Sequence, residues 1–219
     1  MLIDALVLAG GRSSRLDSVP KARLSYQDHT LLENTVAAVA GTRCTVVVGD
    51  VTAQVLPPGV LVTREEPPFT GPAAAIGAGL DRLRLAYPEA SEITVVLACD
   101  MPRVQAAVPL LLREVHHLAP SRDGLLATDS AHRLQPLLAA YRTRALLAAV
   151  THQRTAGALE GLAVFQLIRS LQLDEVVVPD DATADVDTWA DAAGWGIQHP
   201  EISQAPISSL SSHSAKEQK

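Results

Sequence analysis

The chain is poor in lysine. It has 219 residues and 18 Lys+Arg, yet lysine stands only at positions 21, 216 and 219. The last two lie in a serine-rich terminal stretch, so the body of the chain holds one lysine, Lys21. A codon bias toward arginine accounts for the general scarcity. It also makes the survivor informative, because an ammonium is a compact point charge where a guanidinium is a planar fork. Cysteine is scarce as well. Cys44 and Cys99 show neither C-x-x-C nor Cys/His spacing, which excludes a zinc module and fits reduced thiols in a cytoplasmic protein. No apolar run approaches the ~20 residues that span a bilayer. No basic region precedes the first apolar segment, so neither a membrane span nor a secretory signal is expected. Positive charge is not in excess either. A formal net charge of −6 argues against a nucleic-acid or anionic-membrane partner, since both need clustered Lys/Arg.

What is present is an ordinary globular composition, 47% hydrophobic and 19% charged, on a chain long enough for a sizeable core. Apolar runs alternate with helical spacing. Strands are expected at 2–8, 44–48, 60–63, 93–99, 125–128, 134–141 and 173–178. Helices are expected at 31–39, 71–87, 109–117, 144–150, 159–171 and 188–193. Strands separated by helices imply βαβ units. Right-handed crossovers then give a three-layer, doubly wound, mostly parallel α/β sheet of Rossmann-like type. Residues 1–199 read as one domain, and 200–219 as a disordered polar tail. In such sheets ligands bind beyond the carboxyl ends of the strands. Residues 9–11, 49–50 and 100–102 all follow strands and should converge there.

The first of these segments reads LAGGRSSRLDSVPKARL, from Leu8 to Leu24, after a strand and before a helical stretch. Gly10 and Gly11 allow close approach and positive φ. Successive N–H groups can form an anion nest. Arg12, Ser13, Ser14 and Arg15 add donors, and Lys21 adds a charge. Together they suit a triphosphate and the charge that develops on a departing pyrophosphate. The Walker pattern is absent, since Ala22 follows Lys21, and so is G-x-G-x-x-G. The bland alternative is a βα turn with a solvated basic loop. Position, glycines and charge together weigh against it.

Asp100 stands at the end of the strongest strand, in LACDMP. A carboxylate there can hold Mg2+ with phosphate oxygens, which polarises an α-phosphate for in-line attack. The alternative is a turn or N-cap aspartate. Near the chain's end stands ADVDTWADAAGW, in which Asp185 and Asp187 share a face if the segment is extended. Either can supply a second metal carboxylate. Otherwise Asp187 caps a helix starting at Thr188, with Asp191 on its solvent face. His116 and His117 read as the solvated end of a helix.

These segments resemble the molybdenum cofactor guanylyltransferases, whose opening reads approximately LAGG-x-S/A-x-R-L/M-G-x-x-x-K. The likeness runs to about residue 193. Gly10-Gly11 match the guanylyl branch, where the related cytidylyl branch has Ala-Gly. One residue departs from the pattern. Asp17 stands where that family has glycine, and it puts an extra carboxylate near the loop. The resemblance implies a nucleotide site from Leu8, Ala9, Gly10, Gly11, Arg12, Ser13, Lys21, Gly49, Glu65, Gly71 and Asp100. Gly49 aligns where relatives use Asn. Glu65, in REEPPFTGPAAAIGAGL, is placed against the base, with Glu66 the neighbouring register. A carboxylate accepts two donors from a guanine edge that cytosine and uracil lack. The small residues 73–78 that follow also read simply as packing. Lys21, Asp100 and Arg15 are the implied catalytic residues, and Asp100, Asp185 and Asp187 the implied Mg2+ ligands. Gln135, before Pro136, is implied to face the acceptor, or is a strand-edge side chain.

The implied reaction is Mg2+-dependent guanylyl transfer from GTP to the terminal phosphate of molybdenum-bound molybdopterin. Its products are the guanine dinucleotide cofactor and pyrophosphate. It leaves room for transient contact with other molybdenum cofactor enzymes. The rival readings are a CTP-dependent or sugar-1-phosphate nucleotidyltransferase and a non-catalytic GTP-binding regulator.

Overall fold

The central strands of one large sheet are apolar on both faces, while its edge strands are partly exposed. The computed structural model describes residues 1–11, 13, 15–51 and 54–198, so Arg12, Ser14 and the expected tail lie outside the described residues. The strands in chain order are β1 Ile3–Leu8, β2 Ser25–Tyr26, β3 His29–Thr30, β4 Cys44–Val48, β5 Leu61–Thr63, β6 Ile93–Ala98, β7 Gly124–Thr128, β8 Leu134–Arg142 and β9 Leu173–Val177. Seven of them form a sheet in the order β5-β4-β1-β6-β8-β7-β9, while β2 and β3 make a small separate hairpin. Pairing is parallel throughout the large sheet except at β8, which runs antiparallel to both β6 and β7.

The reversal of β8 has a local cause. Only residues 129–133 separate it from β7, and a parallel crossover needs about a dozen residues or more. Asp129 closes this turn. Its nearly buried carboxylate accepts the backbone N–H groups of Ala131 and Arg133, each at 2.9 Å.

Among the described residues the α-helices are α1 Leu31–Ala38, α2 Pro72–Ala86, α3 Val108–Glu114, α4 Thr143–Thr155, α5 Val164–Ile168 and α6 Trp189–Gly194, of which α1 to α5 pack near the sheet. Side chains alternate along a strand, and β1 uses both faces. Ala5 and Val7 enter a core with Leu32 and Val36 of α1 and Val108 and Leu111 of α3. Leu6 and Leu8 enter a second core with Ile76 and Leu80 of α2 and Leu146 of α4. This is the expected three-layer, doubly wound α/β architecture. The small residues of α2 serve that packing, since a Cβ at Gly79 would lie 2.8 Å from Leu6 Cδ2. A third, smaller apolar cluster joins Leu16, Leu24 and Leu31 to Val186, Ala192 and Ile197. It ties the start of the chain to its far end.

Two expected helices differ. The stretch 159–171 is helical only over α5, because Gly161 turns the chain at φ +73° before it. No α-helix follows the glycine-rich loop directly. A 3-10 turn at Lys21–Arg23 and the β2–β3 hairpin intervene before α1. Both cysteines are buried free thiols, and no helix among the described residues is long and apolar enough to cross a membrane.

Candidate active site

The exits of β1 and β6 lie side by side. Cys99 N–H donates to the Leu8 carbonyl at 3.1 Å, and Ala9 N–H donates to the Val48 carbonyl at 2.8 Å. A cavity of about 320 Å3 opens at this edge, and Leu8, Ala9, Gly10, Gly11, Ser13 and Lys21 form one side of it. Glu65, Gly71 and Asp100 line the same cavity. Most of the expected nucleotide residues therefore converge, although Gly10, Glu65 and Asp100 stand 55 and 35 positions apart in sequence.

Ser13 organises the loop. It sits at φ +44°, and its carbonyl accepts Leu16 N–H at 2.9 Å and Ser18 N–H at 3.2 Å. Its hydroxyl accepts Lys21 N–H at 3.4 Å. Leu16, fully buried, anchors the turn in the third apolar cluster. No α-helix follows the loop directly, but the first turn of α2, at Gly71, Pro72 and Ala75, lines the same cavity.

Gly49 corrects an expectation. It does not line this cavity but lies beneath the loop at φ +148°, where a Cβ would be 2.8 Å from both Ala9 C and Gly10 N. Its part is to let the loop backbone come close. Gly49→Ala is accordingly expected to destabilise the fold by about 1–3 kcal/mol, lowering the melting midpoint by roughly 3–10 °C. Calorimetry checks this, and an unchanged midpoint would mean that the loop yields freely.

Asp100 lines the cavity, and two further carboxylates meet it there from outside the lining. Val186 N–H donates to the Asp100 carbonyl at 3.0 Å, which docks the extended 185–187 segment on the β6 exit. Ligand atoms of Asp100, Asp185 and Asp187 then all lie within 4.8 Å of one another. Neither of the two later aspartates caps α6. Thr188 is the N-cap, its hydroxyl accepting Asp191 N–H at 3.2 Å, while Asp191 Oδ2 accepts Thr188 N–H at 2.7 Å and Asp187 N–H at 3.1 Å. This capping box replaces the expected Asp187 cap. It takes Asp191 off the solvent face and leaves both Asp185 and Asp187 to the cluster.

Lys21 Nζ enters the cluster. It donates to Asp100 Oδ2 at 2.8 Å and also to Asp187 Oδ1. Burial works against its charge, but Asp100 and Asp187 outweigh that and push the ammonium up to about 12. Asp185 reaches solvent, yet partial burial and the carboxylates of Asp100 and Asp187 hold its carboxyl above the ordinary aspartate range. One ammonium among three carboxylates leaves negative charge unrelieved. Clustered hard oxygen donors with such an excess fit a small divalent cation of the Mg2+ kind.

Glu65 is buried at 7% exposure, and its Oε1 accepts Phe69 N–H at 2.9 Å. Glu66 is exposed and does not line the cavity. Of the two registers, Glu65 is the one that faces the cleft.

A glycine loop, an acidic strand exit and a lone lysine between them are the parts that the sequence comparison then matches. The MobA-like NTP transferase domain family covers residues 5–176. The chain belongs to that family. The match takes in the loop, Glu65, Asp100 and Gln135 and ends before Asp185 and Asp187. A probable molybdenum cofactor guanylyltransferase of Clostridium perfringens (strain SM101 / Type A) is 28% identical over 141 residues, 64% of this chain and 65% of the relative. The chain thus spans just under two thirds of that relative's length. Among solved structures, molybdopterin-guanine dinucleotide biosynthesis protein A from Archaeoglobus fulgidus superposes with a TM-score of 0.64 at 19% identity, over 88% of this chain and 96% of the other. The 4-diphosphocytidyl-2C-methyl-D-erythritol synthase from Anaerococcus prevotii superposes with a TM-score of 0.62 at 12% identity, over 89% and 94%. At these identities the two structures speak for the fold.

Not every expected residue of this MobA-like domain reaches the cavity. Arg15 is exposed and outside the lining, and Arg12 is outside the described residues. Gln135 is half-buried opposite Ala127. The register of β8 slips just after it, and Leu137 lines the cavity instead. Two features went unread in the sequence. Phe69, at φ +63° and 49% exposed, lines the cavity with the Arg64 guanidinium 5.0 Å from its ring centroid. Asp17 Oδ2 accepts the indole N–H of Trp189 at 2.8 Å. The aromatic in the turn after Glu65 was a usable local signal for the first. Nothing local signals the second.

Proposed function

We propose that the chain is a cytoplasmic nucleotidyltransferase that moves a guanylyl group from GTP to the terminal phosphate of a molybdopterin-type acceptor. Residues 1–199 form its catalytic domain in this reading, with 200–219 a polar tail. The observation that carries it is Lys21 held by Asp100 and Asp187 beside a glycine loop, in a cavity that Glu65 also lines.

An oxygen of the acceptor phosphate attacks the α-phosphorus of GTP. The new O–P bond forms as the α–β phosphoanhydride breaks, and its electron pair leaves on pyrophosphate. The acceptor phosphate is already ionised at neutral pH, so the reaction needs no general base. The residues supply position and charge. Loop amides and Lys21 hold the triphosphate, and Asp100 with Asp185 and Asp187 would hold Mg2+. When bound, Mg2+ supplies polarisation of the phosphate and offsets charge on the leaving group. The Glu65 carboxylate, fixed by Phe69 N–H, accepts from the guanine edge. Gln135 remains a candidate for the acceptor side, reached through side-chain movement at the slipped register of β8.

Pyrophosphate release from GTP, Mg2+ and acceptor tests the reaction, and GTP binding without release would favour a regulator. A thermal-shift series with GTP, CTP, UTP and ATP tests the base. At a hundredfold over Kd the cognate nucleotide adds about 2.7 kcal/mol, a rise of roughly 5–10 °C for a chain of this size. GTP should give that rise and CTP should not. Glu65→Gln should weaken GTP by about 10- to 100-fold, the worth of a charge-assisted hydrogen bond. CTP stabilising as strongly as GTP would transfer the reading to the cytidylyl rival, whose fold the Anaerococcus prevotii protein shares.

A further inference from the structure

Two ties join the same two short segments from opposite ends of the chain. Lys21 grips Asp187, and Asp17 grips Trp189. We propose that the Asp17–Trp189 hydrogen bond is a latch that positions the glycine loop against the 185–187 carboxylate segment. Asp17 and Trp189 are then positioning residues for the cation and triphosphate site. The part about the cation rests on the function proposed above.

Asp17 sits at φ +49° and Ser18 at φ +63°, in the left-handed region that aspartate visits more readily than most side chains. From that turn Asp17 Oδ2 accepts the indole N–H of Trp189, 2.8 Å away and 172 positions along the chain. Trp189 is the first residue of α6, and the capping box of that helix fixes the N–H groups of Asp187 and Thr188. Whatever moves Trp189 therefore moves Asp187. Apolar contact repeats the tie, one residue before Asp17 and three before Trp189. Leu16 and Val186 are both fully buried in the third cluster, against which Trp189 packs.

The second tie explains the need for the first. Lys21 and a divalent cation compete for the Asp187 carboxylate. Once a cation takes it, the Lys21–Asp187 tie loosens at the moment when loop and carboxylates must stay in register. The latch uses neither carboxylate of the cluster nor Lys21, so it persists through that exchange.

The test uses Asp17→Gly, Asp17→Asn and Trp189→Phe in the full chain. Glycine relieves the positive φ and removes the acceptor. Asparagine keeps an acceptor oxygen. Phenylalanine keeps an apolar ring and removes the N–H donor. Two measurements are made on nucleotide-free protein: hydrogen exchange at the Leu16, Ser18 and Val19 amides, and Mn2+ affinity by electron paramagnetic resonance. Asp17→Gly and Trp189→Phe should each speed loop exchange and weaken Mn2+ by about tenfold, the worth of one hydrogen bond to a charged group. Asp17→Asn should stay within about threefold of wild type on that same hydrogen-bond scale. Asp17→Gly should keep its melting midpoint, which separates positioning from general destabilisation. Unchanged exchange and Mn2+ affinity in Asp17→Gly and Trp189→Phe would overturn the latch. A wild-type chain that binds no Mn2+ would overturn the cation site and leave loop exchange to decide the latch alone.

Discussion

Asp100→Asn is expected to cut pyrophosphate release by about a thousandfold, the scale on which a single electrostatic stabiliser acts in a closed site. The substitution keeps the shape of the side chain and removes its charge. Asp100 stands where β6 leaves the sheet, its carbonyl held by Val186 N–H at 3.0 Å and its carboxylate by Lys21 Nζ at 2.8 Å. Its charge holds the lysine, and in the proposed site it would also help to hold a cation. An amide does both poorly, and its NH2 group faces the ammonium as a fellow donor. The fold should tolerate the change. Asp185 is held above the usual carboxylate range by burial and then by Asp100 and Asp187, so deleting one of those charges relieves repulsion while it loses one bond to Lys21. Turnover and calorimetry on the same preparation separate the two effects. Turnover within tenfold of wild type, with an intact fold, would remove Asp100 from the proposed cation site.

What the sequence made legible follows from where each interaction is encoded. β4 was read to the residue, because CTVVV is buried on every side and such a strand is one unbroken apolar run. The glycine loop and Asp100 stand out for a related reason, each being a local motif at the end of a strand, whereas Glu65 is implied by the family resemblance; all three line one cavity. The direction of β8 was not, since apolar spacing carries no sense of direction. Its cue was the shortness of the 129–133 turn. The overlong helix at 159–171 came from counting leucines past Gly161. Gly49 was read as a contact to ligand, but its missing side chain serves the backbone of Ala9 and Gly10.

The far end of the site was the hardest to read. ADVDTWAD offers two overlapping helix starts, and Thr188-x-x-Asp191 prevails because it satisfies backbone donors reciprocally. That choice frees Asp187. The pairs Lys21–Asp187 and Asp17–Trp189 span 166 and 172 positions. The third apolar cluster and the Val186 N–H bond to the Asp100 carbonyl bring their segments together, and no pattern along the chain announces them.

Lys21→Met should move two measured quantities in opposite directions. Nucleotidyl transfer should fall by about 100- to 1000-fold, since the ammonium is a fixed positive charge lining the cavity proposed for the triphosphate. Mg2+ affinity of the nucleotide-free protein should rise instead. Lys21 now lies between Asp100 and Asp187, in the space a cation would claim. At an effective dielectric near 20, a unit charge at such range is worth about 4 kcal/mol before solvation is counted, so even a fraction of it gives about a tenfold gain. The stability effect has a definite sign with pH. The folded ammonium titrates at about 12, above the ordinary value of about 10.4, so its contribution is complete below pH 10 or so and is lost as pH rises toward 12. The wild-type advantage over Lys21→Met should therefore be present at pH 7 and shrink in strong alkali. Loss of turnover together with tighter Mg2+ binding would give the lysine two successive partners, carboxylates first and phosphates after. Loss of turnover with unchanged Mg2+ affinity would mean that a cation does not compete with Lys21 for Asp100 and Asp187.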